Sequence, residues 1–368
     1  MSALRVERRR VAHFDWVLVA LVLALVAMGI VNLVSAAASG VEGGADIVGR
    51  QLSVMGLAAV VIAIVVAIDY RHYDRYAWWL YGGSVGLLLL TLAIAEETRG
   101  ARAWLFSGRL QPSEFSKIGM VIGLAHYFGR NPPSQIRRLR DLFMPGLIVG
   151  IPVGLIVLQK DLGVAALTLL VGLTLLPLVN VPARAWVGIG LLGLGGLAAL
   201  WQFGLRGYQK ERILGFLDPS RDPLASGYQG MQSKIAVGSG GLFGTGWQEG
   251  TQTQLRFLPT QHTDFAFSVL AEEWGFLGST IVLSVYALML VWGLMIARNS
   301  KDTFGAMLAI GLVGTLLWPA AINVAMVLGL APVIGVPMPL FSYGGSALLS
   351  TALSIGLLLN VSMRRYVF

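Results

Sequence analysis

Read for hydrophobicity alone, the chain is a succession of long apolar runs cut by shorter polar segments. Ten runs stand out, near residues 14–34, 52–68, 76–95, 115–128, 142–158, 162–180, 185–204, 266–297, 304–330 and 341–361. A bilayer core about 30 Å thick needs about 20 apolar residues in a helix, and the runs fit spanning helices, not strands. The fourth run is short and predicts a tilted, broken or partly re-entrant segment. The eighth, 266–297, is too long for one straight crossing, so its first turns are expected to line a site instead of facing lipid. The pattern predicts an all-α polytopic integral membrane protein of about ten transmembrane helices. One large extracytoplasmic loop, about 205–265, lies between helices 7 and 8, and no internal repeat is evident.

Composition excludes the soluble alternative. The chain is 56% hydrophobic and 12% charged, with a mean hydropathy of +0.72. Its +8 charge would point to nucleic acid in a soluble protein, but here the placement of Lys and Arg explains it. Arg5, Arg8, Arg9 and Arg10 precede the first span, and alternate loops collect Arg71, Arg75, Arg130, Arg137, Arg138, Arg140, Arg184, Arg298, Lys301, Arg364 and Arg365. Basic residues mark cytoplasmic loops, so both termini are expected in the cytoplasm and the 205–265 loop outside. The first span is expected to be a retained anchor, because Ala36-Ala37-Ala38 lies beyond a full membrane width. Absence of Cys excludes thiolate chemistry, and with His13, His72, His126 and His262 alone a zinc site is not expected.

Chemically expensive residues gather on the outer side. Arg102 and Trp104 follow the third span, and Gln111-Pro-Ser-Glu114-Phe-Ser-Lys117 opens the fourth. Glu114 and Lys117, three apart, share a helix face and can pair, which serves structure or catalysis equally. Lys160-Asp161 interrupts the fifth-to-sixth hairpin. Asp264 follows Gln261, His262 and Thr263 where the polar loop enters the eighth run; it reads either as a helix cap or as a functional carboxylate at a membrane boundary. Two Gly/Pro clusters, Gly238 to Gly246 and Pro332 to Ser346, lack P-loop spacing.

Taken together, the segments RGARAWL (99–105), QPSEFSKI (111–118), the pattern from Asp218 to Trp247, GTQTQLRFLPTQHTDFAFSVLAEEWGFLG (250–278) and the 323–346 stretch ending PLFSYGGS resemble the SEDS proteins (shape, elongation, division and sporulation). The resemblance covers essentially the whole chain, 1–368, as a single SEDS-type transmembrane domain, and GTQTQLRFLP with VLAEE favours the elongation-type RodA branch over the division-type FtsW branch. Thr245, Thr260 and Gln261 depart from the family pattern, where Lys, Glu and Arg are expected.

That resemblance implies a peptidoglycan glycosyltransferase of the bacterial cytoplasmic (inner) membrane, acting on lipid II at the outer leaflet during cell elongation. Asp264 matches the family's catalytic carboxylate and would be the general base, with undecaprenyl pyrophosphate as leaving group. Arg102, Glu114, Lys117, Asp161, Arg212, Lys234 and His262 are candidate substrate-binding residues; of these Arg102, Lys117, Arg212 and Lys234 are candidate cations for the pyrophosphate. A divalent cation (Mg or Mn) could share that task, though no dedicated ligand spacing is present, and no organic cofactor is expected. Implied partners are a class B penicillin-binding protein transpeptidase and other elongation-complex membrane proteins, with no nucleic acid. The competing reading is a lipid II flippase or other transporter, which Gly/Pro-broken helices and intramembrane charges also fit.

Overall fold

The computed structural model describes residues 14–39, 44–98, 100–106, 108–132, 138–179, 183–205, 207–218, 226–258 and 260–364. Arg5, Arg8, Arg9, Arg10, His13, Arg99, Pro133, Arg137, Arg206, Arg221, Asp222, Pro259 and Arg365 lie outside the described residues, as do the side chains of Arg184 and Arg212. The described chain is helical, with only two isolated bridges, Thr98 to Ala101 and Leu105 to Leu110. In order the helices are α1 (Trp16–Ala38), α2 (Gly44–Ala67), α3 (Tyr70–Arg75), α4 (Ala77–Ile94), α5 (Pro112–Arg130), α6 (Phe143–Leu158) and α7 (Leu162–Leu173). There follow α8 (Ala183–Ala199), α9 (Gly207–Leu217), α10 (Ser226–Ser239), α11 (Thr251–Gln254), α12 (Ala266–Arg298), α13 (Thr303–Val327) and α14 (Gly345–Arg364).

Seven segments among the described residues are long and apolar enough to cross a membrane: α1, α2, α4, α6 with its preceding turn, α12, α13 and α14. The other three apolar runs also fall on helices. Of these, α7 and α8 are shorter, and α5 carries Glu114, Lys117, His126 and Arg130. Helix α5 is nonetheless the hub: it is buried along most of its length and packs on α4, α13 and α6. The protein, not lipid, solvates its polar groups. The 205–265 stretch holds three helices, α9, α10 and the short α11.

Polar ties hold the two ends of the bundle. At one end the Asp15 carboxylate caps α1 and accepts from Trp292 Nε1 of α12 (2.8 Å) and Ser362 Oγ of α14 (2.7 Å). Beside it, Asn360 donates to the Val65 carbonyl of α2 at 2.6 Å, Arg364 pairs with Asp69 at 3.2 Å, and Tyr70 donates to Asp302 at 2.7 Å. At the opposite end, the Gln261 amide donates to the Ala36 carbonyl (2.9 Å) and Ser39 Oγ (2.6 Å), and Arg256 donates to the Ser39 carbonyl at 2.9 Å. These bonds seat the 251–265 segment on the C-terminal end of α1.

Helix α12 is two helices in one. At Gly275 the backbone takes φ 63° and ψ −159°, a region open essentially to glycine alone. The break would strand several peptide groups, and the glycine-rich 240–246 segment meets them. Phe276 and Leu277 donate to the carbonyls of Gly241 and Leu242 at 2.9 and 3.1 Å, while Thr245 and Gly246 donate to those of Glu272 and Glu273 at 3.0 and 3.2 Å. The approach requires missing side chains: a Cβ on Gly240 would stand 2.0 Å from the Ala271 carbonyl oxygen, and one on Gly244 2.0 Å from that of Glu273. Residues Ala266–Glu273 are buried against the protein, so the first turns of the long apolar run face the interior and the remainder supplies the span.

Gly244→Ala is therefore expected to force the joint apart, lowering stability by about 1–3 kcal/mol through strain at φ +86° and displaced backbone. Thermal unfolding in detergent, with Gly238→Ala as the open-space control, measures it.

Candidate active site

Four elements converge on a small cleft lined by both charged or hydroxyl side chains and apolar ones. Helix α5 contributes Glu114, Lys117 and Ile118, and α13 contributes Thr315 and Pro319. The segment before α14 contributes Val336, Pro337 and Pro339, and α14 contributes Ala347, Ser350, Thr351 and Ser354. Pro319, inside α13, cannot donate to the Thr315 carbonyl, so one helical bond is missing at the cleft wall.

Lys117 Nζ lies 2.8 Å from Glu114 Oε1, their side chains 4% and 14% exposed. The other carboxylate oxygen of Glu114 accepts from Ser350 Oγ at 3.0 Å. Ser346, Ser350 and Ser354 recur every four residues and so lie on one face of α14. Ser346 ties down the segment before α5, donating to the Arg109 carbonyl (2.9 Å) and accepting from Gln111 N–H (3.0 Å). Ser354 reaches Thr315 Oγ1 at 3.1 Å.

Asp161 joins this group from α7. Its carboxylate caps that helix through Val164 N–H at 3.2 Å and accepts from Gln111 Nε2 at 3.2 Å. Burial, the largest influence, holds its pKa above the ordinary carboxylate range; the caps and the Lys117 charge pull it down and the Glu114 charge pushes it up. The preceding residue, Lys160, pairs with Glu97 at 3.6 Å.

Asp264 stands one position before the N-cap of α12, which is Phe265. Its carbonyl accepts from Asn323 Nδ2 at 2.8 Å, and the same amide donates to the Val336 carbonyl at 2.7 Å. The carboxylate faces Gly335, where an added Cβ would stand 3.4 Å from Oδ2. Asp264 therefore abuts the segment whose next residue lines the cleft. His262 lies alongside: its carbonyl accepts from Tyr343 N–H at 2.9 Å, its ring meets the Tyr343 ring edge-on at 5.8 Å, and burial lowers its pKa.

Other candidates stand farther from the cleft walls. Arg102 is exposed, anchored by its N–H to the Gln159 carbonyl at 2.9 Å, with no carboxylate in ion-pair range among the described residues. Lys234 is exposed, its stem lying over Gly329 at the end of α13. For Arg212 only the backbone, in α9, is described. The three family departures do structural work: Thr245 Oγ1 bonds the Glu272 carbonyl at 3.2 Å, Thr260 turns the chain at φ 54°, and Gln261 docks on α1. Glu272 and Glu273 are also accounted for. Glu272 accepts from Gln252 N–H (2.7 Å) and Thr253 N–H (3.0 Å) at the start of α11, and Glu273 accepts from Ser35. Among the described residues, no three His, Asp or Glu side chains converge as a metal cluster.

Asn323, Ser350, Ser354 and Thr315 escaped the sequence reading. The first had a signal, an amide inside the apolar run 304–330. The hydroxyls did not, since Ser and Thr are common in membrane helices as packing residues.

Comparison with known proteins decides the family. The family profile described as "Cell cycle protein", covering the FtsW, RodA and SpoVE group, matches residues 15–367. The chain belongs to this family, the SEDS proteins. Among its relatives, peptidoglycan glycosyltransferase MrdB of Escherichia coli K12 is 38% identical over 358 residues, covering 96% of this chain and 94% of that one. A solved chain described under "Structural coordination of polymerization and crosslinking by a peptidoglycan synthase complex" superposes with a TM-score of 0.83 at 35% identity, covering 96% of this chain and 99% of its own. Thermus thermophilus rod shape determining protein RodA gives 0.71 at 32% identity, covering 96% and 98%. This SEDS chain is most like the RodA type.

Removing one member of the buried pair strands the other charge. Lys117→Met is expected to lower stability by about 3 kcal/mol, and Lys117→Met with Glu114→Gln to recover most of it. A double-mutant cycle on thermal unfolding checks this; additive losses would show the pair uncoupled.

Proposed function

We propose that this protein polymerises lipid II into glycan strands at the outer leaflet of the bacterial cytoplasmic membrane, with Asp264 as general base. One observation carries the reading: the Asp264 carboxylate stands against Gly335, next to Val336 on the wall of the Glu114–Lys117 cleft. Relatives named peptidoglycan glycosyltransferase support the reaction class.

The C4 hydroxyl of one sugar attacks the anomeric carbon of another. An alcohol needs its proton removed as the new bond forms, and a positioned carboxylate does this. Asp264 takes that proton, the anomeric C–O bond to phosphate breaks, and undecaprenyl pyrophosphate leaves with the electron pair. One displacement inverts the anomeric centre and requires no covalent enzyme intermediate, as in inverting glycosidases. Lys117 is the best-placed cation in the cleft. Its ammonium has three N–H donors, of which Glu114 takes one at 2.8 Å, so the others remain to meet developing charge on phosphate. Arg102 and Lys234, being exposed, suit an approaching diphosphate better than a desolvated transition state, and Arg212 joins them as a candidate. A divalent cation, Mg or Mn, would arrive with the diphosphate; among the described residues no three His, Asp or Glu side chains come together to hold one.

The remaining assignments follow from this reading. The end of the bundle holding Asp161, Asp264 and the 205–265 stretch is extracytoplasmic, both termini are cytoplasmic, and α5, α7 and α8 join the seven apolar segments to make ten spans. The partner is a class B penicillin-binding protein within the elongation machinery, in keeping with the synthase complex in which a structural neighbour was described. Transport is disfavoured because the charged groups sit at the starts of α5, α7 and α12, not midway along them.

Asp264→Asn, purified with its transpeptidase, is expected to lose glycan polymerisation of lipid II by at least about 100-fold while keeping its thermal stability. Full polymerisation by that variant would remove Asp264 as base. No polymer even from wild type, beside a working control enzyme, would turn attention to lipid II flipping in liposomes. The chain has no Cys, so a single cysteine at exposed Glu249 should react with an impermeant maleimide on intact cells. Labelling only after permeabilisation would reverse the topology.

A further inference from the structure

The cleft and the base belong to different segments: Asp264 ends the stretch leading into α12, and Val336 belongs to the stretch between α13 and α14. Each is joined to the rest of the fold through irregular backbone, and the two face each other. One buried amide ties both of them directly to α13. Asn323, on α13 and fully buried, donates from Nδ2 to the Asp264 carbonyl at 2.8 Å and to the Val336 carbonyl at 2.7 Å.

Both partners are carbonyl acceptors, and only the NH2 end of an amide can satisfy two acceptors, so the orientation of Asn323 is dictated by its neighbours. Its Oδ1 has no partner among the described residues. An unpaired buried acceptor costs about 1–3 kcal/mol, which leucine at the same place would avoid. Packing therefore gives no reason for an amide, whereas the double tie does. Helix α13 is a sound reference for it. It packs on α5, α12 and α14, and it holds the second segment again where Ile334 N–H meets Met326 Sδ at 3.2 Å.

We propose that Asn323 is a positioning residue for glycosyl transfer. It holds the Asp264 carboxylate and the Gly335–Val336 wall at the separation in which the base reaches the attacking hydroxyl, without touching substrate itself. The proposal rests on the reading of Asp264 as general base. Proton abstraction needs heavy-atom distances of about 2.6–3.2 Å, and a displacement of about 1 Å in such a site can cost about 100-fold in rate.

The experiment compares Asn323→Leu, near-isosteric and without donors, and Asn323→Gln, which keeps the carboxamide on a longer arm, with wild type. Each is assayed as the full chain with its transpeptidase, using lipid II polymerisation, its pH profile and thermal unfolding. The expected result for Asn323→Leu is kcat lower by about 100-fold, KM for lipid II within about twofold, and a shifted acidic limb of the kcat/KM profile, in protein that remains folded. Asn323→Gln is expected to recover part of kcat. A loss of activity that merely follows loss of folded protein in both variants would overturn the proposal. So would a raised KM with kcat intact, which would make Asn323 a substrate contact. Asp264→Asn run alongside separates the two failures: full activity there defeats the base itself, whereas an inactive Asp264→Asn beside fully active Asn323 variants defeats only the positioning role.

Discussion

Everything near the site depends on how the break in α12 is satisfied. Inside a bilayer, a peptide group without a partner costs several kcal/mol, and non-helical backbone survives only where protein supplies the missing bonds. At Gly275 the glycine-rich 240–246 segment supplies them, its own N–H and C=O groups replacing those the helix gave up. The result is a short buried half-helix, from Ala266, set apart from the spanning half. That separation lets Asp264 sit on a polar, protein-lined ledge while the same helix goes on to cross lipid. Glycines at 240 and 244 are the steric condition for it, since a methyl group at either would occupy the space of a carbonyl oxygen.

The placement of charge follows the same constraint. Two buried ionic groups in hydrocarbon are tolerated when they are paired and further hydrogen-bonded. Lys117 and Glu114 meet the condition with Ser350, and Asp161 is hydrogen-bonded by Gln111 and the start of α7. At the other end of the bundle, Asp15, Asn360 and Arg364 lock α1, α2, α12 and α14 together. One end is therefore polar for rigidity. The other is polar around a cleft, where Glu114 and Lys117 line open space.

Much of this was legible in sequence because it is local. Apolar run length placed every long helix, the Glu114–Lys117 spacing gave the pair, and the excess length of 266–297 announced that its first turns leave the lipid. What stayed hidden is non-local or polar. The 238–246 glycines read as a loop because their reason is a backbone some 30 residues later. Helices α9 and α10 were missed because a search for apolar runs passes over helices rich in Gln, Lys and Gly. Arg102 and Lys234 were grouped with the site by family motif and side of the membrane; the fold leaves both exposed. Asn323 was visible as an anomaly in an apolar run, yet its partners, 59 and 13 residues away, could be named only from the fold.

Those long-range ties explain how the Asp264 carboxylate, on irregular backbone, is held in a defined place. The half-helix is pinned at its far end by the glycine joint and at its near end by two asparagines. Asn32 of α1 donates to the Ala266 carbonyl at 2.8 Å, and Asn323 of α13 donates to the Asp264 carbonyl two residues earlier. The Asp264 carbonyl lies before the N-cap, outside α12, where Asn323 claims it, while the Ala266 carbonyl in the first turn has a second lone pair for Asn32. Each tie is 2.8 Å long, and lipid offers neither carbonyl another donor. The alternatives to this geometry are thus unsatisfied ones, and the Asp264 carboxylate inherits its position from helices that already pack tightly against one another.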